Sequence, residues 1–290
     1  MTQNNSHRMD GRTVLVTGAT GGIGKATALG LAAMGAQLAV IGRDPGRAAR
    51  AAQEIRAAGG GQVDVFVGDL TSQADVRRLA GEVLTVLPRI DVLVNNAGGY
   101  WSTRHVTADG LERTFALNHL APFLLTHLLL ARLQESGPAR VVTVASNAHA
   151  SGRIGFNDLQ GENSYSGARA YNQSKLANVL FTYELARRLR GSPVTANTLH
   201  PGVVSTSFGA EDPGTLQRVF VPLLRHLMLT PEKGAATSIF LASAPELQSV
   251  SGAFFIKSKP HKSSRASYDR PTAARLWQVS TDLTGIASGR

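Results

Sequence analysis

Tyr171 and Lys175 stand four residues apart in "ARAYNQSKLANVLFTYELARRLR", where Leu176, Val179, Leu180, Tyr183 and Leu189 recur at near-helical spacing. That spacing sets a phenol and an ammonium on one helix face. On an open surface such a pair contributes only about 0.2–0.5 kcal/mol. Half-buried, the ammonium favours the phenolate and draws the phenol down from its ordinary value of about 10, making it a usable acid near neutrality. A second candidate lies in "TGATGGIGKATALGLA", where Gly18, Gly22 and Gly24 occupy a turn between a Val-rich run and a helix-length stretch. Glycine permits tight turning and close backbone approach, and the following helix N-terminus offers N–H donors to a pyrophosphate. With a strand before it and a helix after it the turn points to dinucleotide binding, although its spacing differs from G-x-G-x-x-G. Other chemistries find little support. There is no Cys, so thiolate nucleophiles, disulfides and thiolate metal sites are excluded. The eight histidines form no H-E-x-x-H, and no G-x-S-x-G turn is present, so no metal site is assigned. His149, three residues after Ser146, reads as a satisfied loop histidine, with a place facing the substrate as the alternative.

These groups need a scaffold, and the chain supplies an alternating one. Short runs "TVLVTG", "QLAVIGR", "VDVFVGD", "DVLVNNAG", "RVVTVAS", "VTANTLHPG" and "GAFFIK" read as buried parallel strands. Helix-length stretches such as "PGRAARAAQEIRAAG" and "SQADVRRLAGEVLTVL" separate them. The alternation predicts a single α/β domain with a doubly wound parallel sheet of about seven strands flanked by helices. Residues 1–10 are expected to be a flexible lead-in, 11–257 the domain, and 258–290 a tail packed on it. The longest apolar run, "LAPFLLTHLLLARL", is broken by polar residues and reads as a buried helix, so no transmembrane segment is expected. The polar opening carries no signal peptide pattern. A cytoplasmic protein is the expectation. Thirty Lys and Arg against twenty Asp and Glu give a formal charge of +10, which suits a phosphorylated ligand. The basic residues are mostly scattered and match no nucleic-acid motif, so no nucleic-acid partner is expected.

"TGATGGIG", "NNAG", "YNQSK" and "HPGVVST", in that order, resemble the short-chain dehydrogenase/reductase family over nearly the whole chain. The resemblance implies a Rossmann-like fold and an oxidoreductase interconverting an alcohol with a ketone or aldehyde by hydride transfer. It implies catalytic roles for Tyr171 as proton donor and Lys175 as its partner, with Lys175 also holding the nicotinamide ribose. It assigns Ser146, in "VVTVASNAH", to orienting the substrate carbonyl. Asn118, in "FALNHLAPF", is assigned to a helix position that holds water in a proton relay. For the cofactor it adds Thr20 and Ile23 to the glycine turn, Asp69 and Leu70 beside the adenine, and Asn95, Ala97 and Gly98 by the sheet and ribose. Pro201, Gly202 and Thr206 are assigned to the nicotinamide loop. The 25 positions from Ser146 to Tyr171 exceed the family's usual separation. Such an insert, with "AYNQSKLANVLFTYELARRL" and "ALNHLAPFLLT", resembles the retinol-dehydrogenase-like subgroup, whose members often act on bulky apolar alcohols and carbonyls.

The second strand ends in "AVIGRD", with Gly42 where an NAD enzyme commonly offers an acid and Arg43 next to it. A guanidinium grips a 2′-phosphate that an acid would repel, so NADP, used as NADPH, is favoured over NAD. Asp44 leaves open a shifted register that brings a carboxylate to the ribose. Trp101, beside Tyr100, is expected to complete an apolar substrate pocket with Phe156, Phe208 and Phe220; ordinary core packing is the alternative for each. The segment about 207–230 is expected to be a lid. The partner is then a small apolar carbonyl or alcohol, with homo-oligomerisation left open. A catalytically silent NADP-binding sensor or scaffold is the rival reading, disfavoured by the retention of Asn118, Ser146, Tyr171 and Lys175.

Overall fold

All seven apolar runs become strands in the computed structural model, which describes residues 8–59, 61–204 and 228–286. They are β1 (Thr13–Thr17), β2 (Gln37–Gly42), β3 (Val63–Val67), β4 (Val92–Asn95), β5 (Ala139–Val144), β6 (Val194–His200) and β7 (Phe254–Ile256). All seven pair in parallel. An eighth strand, β8 (Lys259–His261), pairs antiparallel with β7, in the segment the sequence left as a tail. Its two-residue turn puts Lys257 and Ser258 at φ 50° and 58°, the twist a tight hairpin needs. Lys-Ser is a poor sequence signal for that turn. The sheet order is β3-β2-β1-β4-β5-β6-β7-β8. The order reverses between β1 and β4, and ligands of open α/β sheets gather at the strand carboxyl ends beside such a reversal.

The helices are α1 (Gly22–Ala33), α2 (Pro45–Ala57), α3 (Gln73–Val86), α4 (Arg113–Glu135), α5 (Gly167–Arg188), α6 (Pro231–Ser243) and α7 (Arg270–Thr284). Strand alternation sends side chains to two separate cores. Val14 and Val16 pack with Leu31 of α1, Ile55 of α2 and Leu241 of α6. Leu15 faces the opposite layer, with Leu79 of α3, Phe123 of α4 and Phe181 of α5. Side chains fix several helix starts: Asp44 accepts from Arg47 N–H at 2.7 Å, and Ser72 accepts from Asp75 N–H at 3.3 Å. α4 is long and apolar enough to cross a membrane by length and composition, and here most of it is buried inside the domain. α7 lies outside α4 and α5. Its Trp277 ring sits 5.2 Å from Phe123 and 6.0 Å from Phe181, with the Arg188 guanidinium 4.3 Å from its centroid.

Candidate active site

The carboxyl ends of β1 to β6 line a single cleft of about 1650 Å³. Gly18, Thr20, Gly22, Ile23 and Gly24 follow β1, Arg43 follows β2, and Asp69 with Leu70 follows β3. Ala97 and Gly98 follow β4, Ser146 follows β5, and Pro201 with Gly202 follows β6; Tyr171 and Lys175 enter from α5.

The glycine turn is packed to backbone contact. Gly18 adopts φ 67°, and a Cβ on Gly24 would collide with the Gly18 carbonyl and the Asn96 amide. No side chain caps α1, so its first N–H groups offer donors to an anion in the cleft. Asn96 holds the turn to β4: its Nδ2 donates to the carbonyls of Thr17, at 2.8 Å, and Gly18, at 3.3 Å. This arrangement fits a dinucleotide. At the far end Arg43 and Arg47 both line the cleft, and the Arg47 guanidinium reaches the side of Gly21. Asp44 lines the cleft as well and caps α2 through one carboxylate oxygen. A side chain at Gly42 would run into Thr20, so the acid position is also sterically filled.

Lys175 is 4% exposed, and its ammonium donates to the Val144 carbonyl at 3.1 Å. It lies 5.6 Å from the Tyr171 ring centroid. Burial lowers Lys175 to about 8. Tyr171 moves the other way: burial pushes it up to about 12, partly opposed by a hydrogen bond with the Ser146 side chain. The expected downward pull of the ammonium is therefore not what the site delivers. Desolvation penalises both charged forms. The phenol keeps its proton at neutral pH. Tyr100 stands edge-on to the Tyr171 ring at 5.9 Å.

Asn118 sits in a π-turn, Ala116–Leu120, inside α4. Pro122 lacks the N–H that an α-helix would give to the Asn118 carbonyl, and a wider turn is how the chain accommodates that loss. The Asn118 amide grips Gly99, accepting from its N–H at 2.8 Å and donating to its carbonyl at 3.0 Å. Its Nδ2 also donates to Ser174 Oγ at 2.9 Å. The side chain thus braces the loop after β4 against α5.

Some expected residues lie elsewhere. Asn95 is buried on the other side of β4, donating to Thr126 Oγ1 of α4 at 3.0 Å, while its neighbour Asn96 turns to the cleft. Strand alternation separates the two. Phe156 does not line the cleft: it packs beside Leu111 and Phe115, under the Arg275 guanidinium at 4.1 Å. Trp101 does line the cleft, though 4% exposed, with Arg113 over its ring at 4.4 Å. Thr206, Phe208, Phe220 and the expected lid up to residue 227 lie outside the described residues; Met228 and Leu229 line the cleft. Arg47 and His200 are cleft residues the sequence reading passed over. For Arg47 the signal was its place in the first turn of the helix that follows Arg43.

The family model described as short chain dehydrogenase matches residues 12–215. Retinol dehydrogenase 14 of Mus musculus is 43% identical over 298 residues, spanning 96% of this chain and 87% of its own. Among solved structures, an uncharacterised protein of Mycobacterium paratuberculosis is 36% identical, covers 96% of each chain and superposes with a TM-score of 0.78. An RhlG/NADP active-site complex of Pseudomonas aeruginosa is 29% identical, matches over 87% of this chain and 97% of its own, and gives a TM-score of 0.70.

Proposed function

The chain belongs to the short chain dehydrogenase family, an oxidoreductase family of the alcohol–carbonyl class, and from that premise we propose that it is an NADPH-dependent reductase of bulky apolar ketones or aldehydes. One observation carries the reading: a protonated, half-buried phenol, a buried ammonium and a serine hydroxyl meet in the cleft that also holds the glycine turn. When bound, a nicotinamide supplies the hydride that reduction requires. Tyr171 donates its proton to the oxygen that gains negative charge, and a group that stays protonated at neutral pH suits donation better than abstraction. Ser146, hydrogen-bonded to Tyr171, orients the same oxygen. Lys175 keeps an ammonium close to the phenol, where it favours the phenolate left after transfer.

NADP is supported over NAD by the two arginines at the adenosine end and by the filled space at Gly42. The substrate class is supported by Tyr100, Trp101, Leu117, Val203, Met228 and Leu229 in the cleft wall, and by the likeness to a protein named for retinol. The test follows nicotinamide absorbance with a panel of large and small carbonyl compounds. NADPH oxidation by the large members, faster than with NADH, is the expected result. Tight NADPH binding with no turnover across the panel would overturn it in favour of a silent binding protein.

A further inference from the structure

Two histidines that the mechanism does not use grip the backbone on either side of the Ser146–Asn147 peptide. His149 Nδ1 lies 2.7 Å from the Ser146 carbonyl, and His149 Nε2 lies 3.0 Å from the Ser264 N–H. A backbone N–H can only donate and a carbonyl can only accept, so the proton of His149 sits on Nδ1. His200 is the mirror case: its Nδ1 accepts from the Asn147 N–H at 3.2 Å, so its proton sits on Nε2. His149 is 3% exposed and its ring lies 4.9 Å from that of Phe254. Burial holds both imidazoles below the usual histidine range, so the neutral forms these bonds require are the stable ones. Ser146 in turn starts the 3₁₀ turn Asn147–Ser151, its Oγ accepting from the Ala148 N–H at 3.2 Å.

We propose that His149 and His200 are positioning residues: two neutral imidazoles of opposite tautomer that fix the Ser146–Asn147 backbone and so aim the Ser146 hydroxyl at Tyr171. Through Ser264 the clamp reaches the segment after β8, which lies beyond the 12–215 span of the family match. The proposal rests on the reading of Ser146 as the orienting hydroxyl. It assigns the C-terminal segment a part in turnover as well as in packing. A misaimed hydroxyl lowers the rate of the chemical step more than it weakens binding, because small errors of placement are amplified in the transition state.

The experiment separates the two bonds of His149. In His149→Gln the amide reaches the Nε2 position and keeps an acceptor for Ser264, but the donor to Ser146 is gone. In His149→Asn the amide nitrogen reaches the Nδ1 position and keeps the donor to Ser146, but Ser264 loses its acceptor. With the full chain, NADPH and an accepted ketone, kcat should fall about 10–100-fold in His149→Gln, with KM and NADPH affinity little changed. His149→Asn should restore most of kcat. Equal kcat in the two variants, or a loss that only follows a lowered Tm, would overturn the proposal. A readout independent of activity comes from ¹⁵N-histidine NMR of the unliganded protein. It should show a neutral Nδ1–H ring for His149 and a neutral Nε2–H ring for His200; the reverse tautomers would overturn the clamp. Ser146→Ala with wild-type kcat would instead refute the reading of Ser146, and the NMR tautomers would then decide the clamp separately.

Discussion

Burial raises the Tyr171 phenol and so favours its protonated form, which suits it to deliver a proton. Tyr171→Phe deletes the proton donor and leaves the ring that Tyr100 packs against. Turnover should therefore drop by about 10²–10⁴-fold, the range of a lost general acid, while NADPH titration gives a near wild-type dissociation constant. Retained turnover would mean that another group delivers the proton. Arg43 allows a cleaner discrimination between cofactors. Arg43→Ala should weaken NADPH by about 1.5–3 kcal/mol, the scale of a hydrogen bond to a charged group, and leave NADH almost unchanged; equal losses for both would remove the 2′-phosphate from the argument. The types of these residues were legible in the sequence because each carries its own chemistry. Their protonation was not. A spacing of four residues says that Tyr171 and Lys175 share a face, but the sign of the phenol's shift depends on how deeply both are buried, which only the packed structure supplies.

At the scale of elements, local signals were read well where they are local. The apolar runs, the glycine turn and the α5 periodicity each encode their own structure, and all seven expected strands form. Errors arose where one residue's direction depends on a partner distant in sequence. Asn95 and Asn96 are adjacent, and only the pairing of β4 decides which one meets Thr126 and which one meets the glycine turn. Phe156 belongs to a small core completed by α7, more than a hundred positions downstream, which drew it away from the expected pocket. The π-turn had a readable cause, Pro122 four residues after Asn118, but its consequence needs Gly99 to be in place. α7 itself is tied to the domain by Trp277, whose ring meets Phe123, His127 and Phe181. Trp277→Ala should remove about 2–4 kcal/mol of stability, below the roughly 3–5 kcal/mol of a fully buried aromatic because the ring is only partly buried. Urea denaturation measures it; a change under half a kcal/mol would make α7 a loosely attached element.

For the whole molecule, the buried titratable groups set the pH range in which the fold holds. His119 is pushed down to about 3 and His200 to about 4 by burial, and His127 and His149 are shifted the same way. An unfolded chain binds a proton at each histidine as pH falls through about 6.5, whereas the folded protein refuses it until these lower values are reached. The unfolded state therefore holds more protons, and the stability these histidines contribute should be full above pH 6.5 and fall steadily as the pH drops toward 4. Asp91, also lowered, contributes in the same direction but only below the ordinary carboxylate value. The alkaline limb has a different origin: burial raises Tyr165 and Tyr171 to about 12, so the unfolded chain sheds those protons first and stability is lost as pH climbs past 10. Urea midpoints between pH 7.5 and 4.5 test the acid limb. His119, whose Nε2 meets Ser280 Oγ at 2.8 Å, is the most deeply buried of the four, so replacing it tests the cause. His119→Gln lowers stability at pH 7.5 by removing that packing, yet it should flatten the slope between pH 6.5 and 4.5 by the worth of one proton. A midpoint constant across that range in the wild-type protein, or an unaltered slope in the variant, would show that these imidazoles are hydrated and titrate normally.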